Sequence, residues 1–185
     1  MAKSRPGWPW GPLDTGLGRR IIQGYYSAVT YIDTLVGKLV QNICDDTWVI
    51  LTSDHGWSLG QHAEWAKFSN YEEAVRVPLI VVPPPKTRVS TREVSNFVEL
   101  VDVFPSLVSL AGLPHLPMCP DDSSHVLVCS QGRDWSSLLI QRDMPWRNVA
   151  FSQYSRPSIY PRYRFYKLSI RSIWPICLKR DRHYI

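Results

Sequence analysis

Trp48-Val49-Ile50-Leu51-Thr52-Ser53-Asp54-His55-Gly56-Trp57 joins a continuous apolar, β-rich run to a carboxylate, an imidazole and a glycine. The run 48–52 reads as a strand covered on both faces in a parallel sheet. Its carboxyl end delivers Asp54 and His55, and the carboxyl ends of strands are where α/β enzymes keep their chemistry. His62, Glu64, Trp65 and Lys67 follow within one loop. Asp54 beside His55 suits a divalent cation, and Gly56 permits a sharp turn. Lys67 adds a positive point charge, so the loop has the equipment to hold a tetrahedral oxyanion, phosphate or sulfate. The bland alternative is a turn whose Asp only caps the next helix.

Outward from this stretch the chain alternates. Before it, Ile22, Tyr25, Val29, Ile32, Val36, Leu39 and Ile43 step by three and four and predict a helix whose stripe faces a core. Gly24 and Gly37 weaken that helix in isolation, so its stability is expected from packing onto a sheet. After it, Val77 to Val82 predicts a second strand, stopped by Pro83-Pro84-Pro85. A further helix is expected from Val103 to Ala111, with Asp102 near its cap, Pro105 in its first turn and Gly112 ending it. Helix, strand, loop, strand and helix give an α/β class. Two strands cannot hide both faces and both edges of a sheet, so exposed apolar surface is expected.

The longer run Thr52-Ser-Asp-His-Gly-Trp-Ser-Leu-Gly-Gln-His-Ala-Glu-Trp-Ala-Lys67 resembles the second metal-and-sulfate loop of the type I sulfatases. The resemblance covers roughly Arg19 to Ile173, through Gly24-Tyr25-Tyr26, Tyr31-Ile-Asp33, Val77-Pro78-Leu79-Ile80, Val98-Glu-Leu-Val-Asp102 and Phe104-Pro105. Gly60 to Lys67, the Cys119 to Cys129 segment and Tyr154-Ser-Arg-Pro157 resemble one branch of that family, which hydrolyses sulfate esters of uronic acid residues in dermatan and heparan sulfate. The resemblance implies a partial alkaline-phosphatase-like sandwich, with helices flanking a mixed sheet. It implies that Asp54 and His55 help bind one calcium ion, that Lys67 contacts the transferred sulfate and that His62 faces the substrate near the leaving sugar. Calcium prefers oxygen, so His55 is also a candidate for touching sulfate or nucleophile. Gln61 stands where that branch usually has Glu, which removes a charge beside the site.

The same family attacks sulfur with a formylglycine made from the cysteine of Cys-x-Pro-Ser-Arg. Cys44-Asp-Asp-Thr, Cys119-Pro-Asp-Asp-Ser, Cys129-Ser-Gln-Gly-Arg and Cys177-Leu-Lys-Arg all fail that pattern. The amino-terminal Asp-Asp metal pair is not matched either, since Asp45-Asp46 and Asp121-Asp122 read as surface turns. One Asp and one His supply only a fraction of the six to eight oxygens calcium takes. The chain by itself is therefore expected to be inactive, its partner being the amino-terminal half of the domain. Residues 1–18 read as an unrelated leader, 19–173 as the central to C-terminal part of a sulfatase domain and 174–185 as a divergent basic tail.

Cys119 and Cys129 bracket a short polar loop and suit a disulfide in an oxidising compartment, as the family pairs them; two free thiols in a cytosolic chain are the alternative. His115, Cys119, His125 and Cys129 fit no compact zinc template. The first ten residues lack a secretory h-region and no Asn-x-Ser/Thr is present, so a lysosomal location rests on the resemblance alone. No apolar run is long enough to span a membrane. The net charge of +5 is concentrated from Arg156 onward, where eight Lys/Arg face one acid, Asp181. The remainder is slightly acidic, which argues against a nucleic-acid surface; the tail reads as solvated, with glycan binding through its arginines the alternative. Three functions stand: the sulfatase, a related metal-dependent phosphatase or phosphodiesterase, and a non-catalytic chain that binds a partner or a sulfated glycan.

Overall fold

A computed structural model describes residues 13–89, 93–141 and 144–156, together with the backbone of 165–170 and 176–178. The order is α1 (Thr15–Val40), β1 (Val49–Thr52), β2 (Ser58–Leu59), β3 (Trp65–Ala66), α2 (Glu72–Val75), β4 (Leu79–Val82), β5 (Glu93–Val94), α3 (Val103–Leu110), β6 (Phe151–Arg156), β7 (Phe165–Ile170) and β8 (Ile176–Leu178). Three 3-10 turns interleave with them, at Gln61–Ala63, Leu100–Asp102 and Ser136–Leu139. The expected helix, strand, loop, strand and helix all form; β1, β4 and α3 lie within two residues of their predicted limits, while α1 begins seven residues before the stripe and ends three before Ile43. The two-residue strands, too short to carry a readable periodicity, and the six-residue β6–β7 pair add to them.

The main sheet runs β1-β4-β8-β5 and is mixed. β1 lies antiparallel to β4, with Thr52 opposite Leu79 and Val49 opposite Val82, while β4 and β8 are parallel. This corrects the reading of β1 as a parallel strand covered on both faces. It is an edge strand, and its last two residues are exposed. A continuous apolar run marks burial in the whole domain but does not carry strand direction, which the 26-residue connection from Thr52 to Leu79 decides. β4 does alternate, with Leu79 and Val81 buried and Ile80 and Val82 half-buried.

The core packs against that inward face of β4. Leu79, Val81, Val94, Val98, Trp135, Leu138 and Leu139 are buried together, with Trp48, Ile50, Leu110, Met144 and Trp146 against them. A buried carboxylate organises the same region. Asp102 is fully buried and accepts from the amides of Glu99 (2.7 Å) and Arg133 (2.8 Å) and from the Arg147 guanidinium. Arg147 also pairs with Glu99 at 2.5 Å, and Glu99 accepts from the Phe151 amide at 2.7 Å. Ser106 donates to the Asp102 carbonyl and accepts from the Trp135 amide. Gly132 fits beneath this turn because a Cβ there would stand 2.0 Å from the Val101 carbonyl oxygen. The start of α3, residues 130–135 and the start of β6 are thereby fixed to one another.

α1 corrects a second expectation. Its only buried residue is Gly18, and Ile22 and Val36 are half-buried, whereas Tyr25, Val29, Ile32 and Leu39 are exposed. The stripe exists but faces solvent, since among the described residues no second layer lies over it. The expectation of exposed apolar surface holds here. Within the stretch read as a solvated tail, Ile176–Leu178 forms β8 and fills the gap between β4 and β5. Backbone donors and acceptors on those facing edges need partners, which a three-residue strand supplies. The rest of the tail lies outside the described residues. Among the described residues no helix is long and apolar enough to cross a membrane.

Removing a partner from a buried ion pair leaves an uncompensated charge, so Asp102→Ala is expected to destabilise the chain by about 3–5 kcal/mol. Urea unfolding measures it; a change below about 1 kcal/mol refutes the organising role.

Candidate active site

The loop leaves β1 through Ser53, whose hydroxyl donates to the His55 carbonyl at 2.7 Å. Asp54 Oδ1 accepts from the adjacent His55 amide at 3.0 Å, a local turn contact, and caps no helix, since the next element is β2. The other, Oδ2, lies 3.4 Å from His55 Nε2. His55 Nδ1 lies 2.9 Å from the Gly56 carbonyl, a contact that places the ring proton on Nδ1 and leaves the Nε2 lone pair as acceptor. Lys67 Nζ fills that role, donating at 2.8 Å. Asp54, His55 and Lys67, spread over fourteen positions, thus converge. The ammonium carries three donors, and among the described residues His55 takes one of them.

Gly56 makes the convergence possible. A Cβ there would stand 2.0 Å from the Glu73 carbonyl oxygen, and the Gly56 amide donates to Ala74 O at 2.9 Å. The loop is thus clamped main chain to main chain against α2. It is also pinned by aromatic rings: Trp57 stacks on Tyr25 of α1 at 6.4 Å, and Trp65 packs over Gly60 and Gly18. Gln61 Oε1 accepts from the Leu59 amide at 2.6 Å. The neutral side chain therefore keeps the acceptor that closes this turn while removing the charge.

His62, Ala63 and Ala66 have positive φ (55°, 57° and 70°). They are the non-glycine residues with positive φ among those described, and all fall in this one loop. Such conformations cost energy and collect at functional sites. His62 stacks on Tyr71 at 4.2 Å with rings 12° apart, and its Nε2 lies 3.8 Å from Glu73 Oε2. Phe68 meets Tyr154 of β6 at 6.1 Å, which brings the far strand beside Lys67. Glu73, Tyr71 and the aromatic contacts were not legible in the sequence. Glu73 sits in a four-residue helix with no pattern, eleven positions from the ring it approaches.

The described residues do not by themselves fit calcium. Among them no group of three or more His, Cys, Asp and Glu could hold a metal. Asp54 is one hard oxygen donor, and the Lys67 ammonium occupies the His55 nitrogen, where a second cation would be repelled. Cys119 and Cys129 form a disulfide, and His115 Nδ1 lies 3.6 Å from Asp134 Oδ2, so the zinc alternative has no free ligand set. Cys44 is an exposed free thiol. In the disulfide loop Asp122 accepts from the Ser124 hydroxyl and amide, which hold its carboxyl below the usual range.

The sulfatase family model matches residues 3–113. Iduronate 2-sulfatase of Mus musculus is 35% identical over 202 residues, which cover 89% of this chain and 37% of that protein. The Homo sapiens protein of the same name is 36% identical over the same shares. The multifunctional alkaline phosphatase superfamily protein PehA of Trinickia caryophylli is 29% identical over 148 residues, covering 76% of this chain and 28% of that one. Among solved structures, BT4656 in complex with its substrate D-glucosamine-2-N,6-O-disulfate superposes with a TM-score of 0.58 at 25% identity, over 78% of this chain and 28% of that one. The chain thus spans little more than a third of the length of the iduronate 2-sulfatases it matches.

Two substitutions test the loop. Gly56→Ala is expected to lose about 1–3 kcal/mol through overpacking against α2. Ala66→Gly, which removes a left-handed alanine, is expected to gain about 0.5–1 kcal/mol. Chemical denaturation reads both, and reversed signs refute the account of clamp and strain.

Proposed function

The chain belongs to the sulfatase family, and we propose that it supplies the second metal-and-sulfate loop of a sulfuric ester hydrolase acting on uronic acid sulfates of dermatan or heparan sulfate. The fold is part of the alkaline-phosphatase-like α/β fold. The observation that carries the function is the Asp54–His55–Lys67 convergence at the end of β1. There a lysine whose one hydrogen bond among the described residues is to an imidazole stands where a tetrahedral anion could be held. The uronic acid class is supported by 35–36% identity to iduronate 2-sulfatases over 89% of the chain. A sulfated-sugar substrate is also that of BT4656.

Within this reading Lys67 neutralises charge on the sulfate oxygens, a role worth about 2.7–4 kcal/mol for comparable oxyanion donors. His55 fixes the ammonium, and Asp54 Oδ2 offers one oxygen to a metal site completed by residues outside those described. By the family resemblance, a formylglycine nucleophile and further calcium ligands would come from the amino-terminal half of such a domain. Alone, the 185-residue chain is read as inactive. The Cys119–Cys129 disulfide supports folding in an oxidising compartment, consistent with a lysosomal destination.

In the domain completed by a Cys-x-Pro-Ser-Arg segment, Lys67→Ala is expected to lower release of sulfate by about 10²-fold or more. Retention of near wild-type turnover refutes the assignment. Saturable binding of a heparan sulfate oligosaccharide by a completed domain that never releases sulfate would favour the non-catalytic alternative.

A further inference from the structure

The turn that carries the chain from α1 to β1 is solvated almost throughout. From Gln41 to Thr47 every residue is exposed except Ile43, which is half-buried. Cys44 lies there as an exposed free thiol, in a chain whose Cys119–Cys129 disulfide suits an oxidising compartment. An exposed, unpaired thiol in such a compartment calls for an explanation. Two residues before it stands Asn42, also exposed, whose amide donates to the Leu39 carbonyl at 3.0 Å and whose Nδ2 donates to the Lys38 carbonyl at 2.8 Å. That bond uses one Nδ2 hydrogen, and a carboxamide carries two. Asn42-Ile43-Cys44 has the form of an acceptor triplet for N-linked glycosylation, with a thiol in place of the usual hydroxyl and no proline at the middle position. Glu72, Val98 and Ala150 stand two places after Asn70, Asn96 and Asn148, so the other asparagines lack even this form.

We propose that Asn42 is an N-glycosylation site, with Cys44 as the third residue of its acceptor triplet. This rests on passage through the oxidising compartment proposed above, and not on the sulfatase chemistry. The donor is an oligosaccharide joined through pyrophosphate to a polyprenyl lipid, and an oligosaccharyltransferase supplies the base. Asn42 Nδ2 attacks the anomeric carbon of the first sugar and loses one proton to that base. The bond from this carbon to the pyrophosphate oxygen breaks, its electron pair leaving with the lipid pyrophosphate, and a carbon–nitrogen bond takes its place. The side chain at the third position hydrogen-bonds the transferase and holds the asparagine for attack. A thiol is a weaker donor than a hydroxyl, so part of the chain acquires the glycan and part does not. The exposed turn gives a bulky, hydrophilic group the open solvent it needs, beside the exposed Leu39 at the end of α1.

Cell-free translation of the 185-residue chain behind a cleavable secretory signal, with microsomes present, reads glycan transfer whether or not the product folds. The wild-type chain is expected as two gel bands, the upper one removed by peptide N-glycosidase, with mass spectrometry locating the resulting conversion of Asn42 to aspartate. Asn42→Gln and Cys44→Ala are each expected to lose the upper band, and Cys44→Thr is expected to raise its share by about twofold or more. A wild-type chain that lacks the band while Cys44→Thr carries it overturns the role of the thiol and the proposal with it. Absence of the band from both overturns the site itself, and an upper band that survives Asn42→Gln does the same. None of these results touches the sulfatase reading, which turnover by the completed domain decides.

Discussion

The approach of Gly56 to the Glu73 carbonyl is the constraint on which the candidate site depends. A single Cβ at Gly56 would stand 2.0 Å from that oxygen, so the loop and α2 can be this close only because the side chain is absent. The contact turns a sixteen-residue excursion into two segments held main chain to main chain, with the Gly56 amide on Ala74 O. Once the ends are tied, the intervening residues have little freedom. Left-handed φ at His62, Ala63 and Ala66 follows from fitting the return path into that space. The strain is borne by neighbouring contacts, including Trp65 over Gly60 and Trp57 against Tyr25.

A second, independent device holds the other side. The buried Asp102 and the half-buried Arg147 and Glu99 form an ionic network that joins the turn before α3 to the start of β6. A buried ion pair is weak evidence for added stability, because desolvation offsets much of the attraction. Its value here is geometric. By accepting from the amides of Glu99, Arg133 and Phe151, the two carboxylates fix where β6 begins, and Tyr154 of that strand comes to rest against Phe68, next to Lys67. The candidate site is thus supported from a hub with which it shares no charged residue.

The exposed stripe on α1 and the edge position of β1 have one physical reading. Tyr25, Val29, Ile32 and Leu39 are placed as core residues are placed yet are exposed, and the chain spans little more than a third of the length of the iduronate 2-sulfatases it matches. The amphipathic pattern records the burial that the domain requires rather than what these residues can bury among themselves.

The sequence by itself determined the fold class and marked the loop. The apolar run into Asp54-His55-Gly56, the stripe of α1, the proline stop after Val82 and the Pro105 and Gly112 limits of α3 are local signals. They arise from side-chain period and backbone freedom, which a linear text records. Tertiary structure alone decided strand direction, because a continuous apolar run looks the same whichever way its neighbour lies. It decided that β8 completes the sheet from within a basic stretch, where the need to pair backbone edges outweighed composition. It also brought Glu73 and Tyr71 to His62 and Tyr154 to Phe68. Those contacts depend on a close approach at one glycine and on a buried carboxylate far along the chain, and distance in space has no periodicity to read.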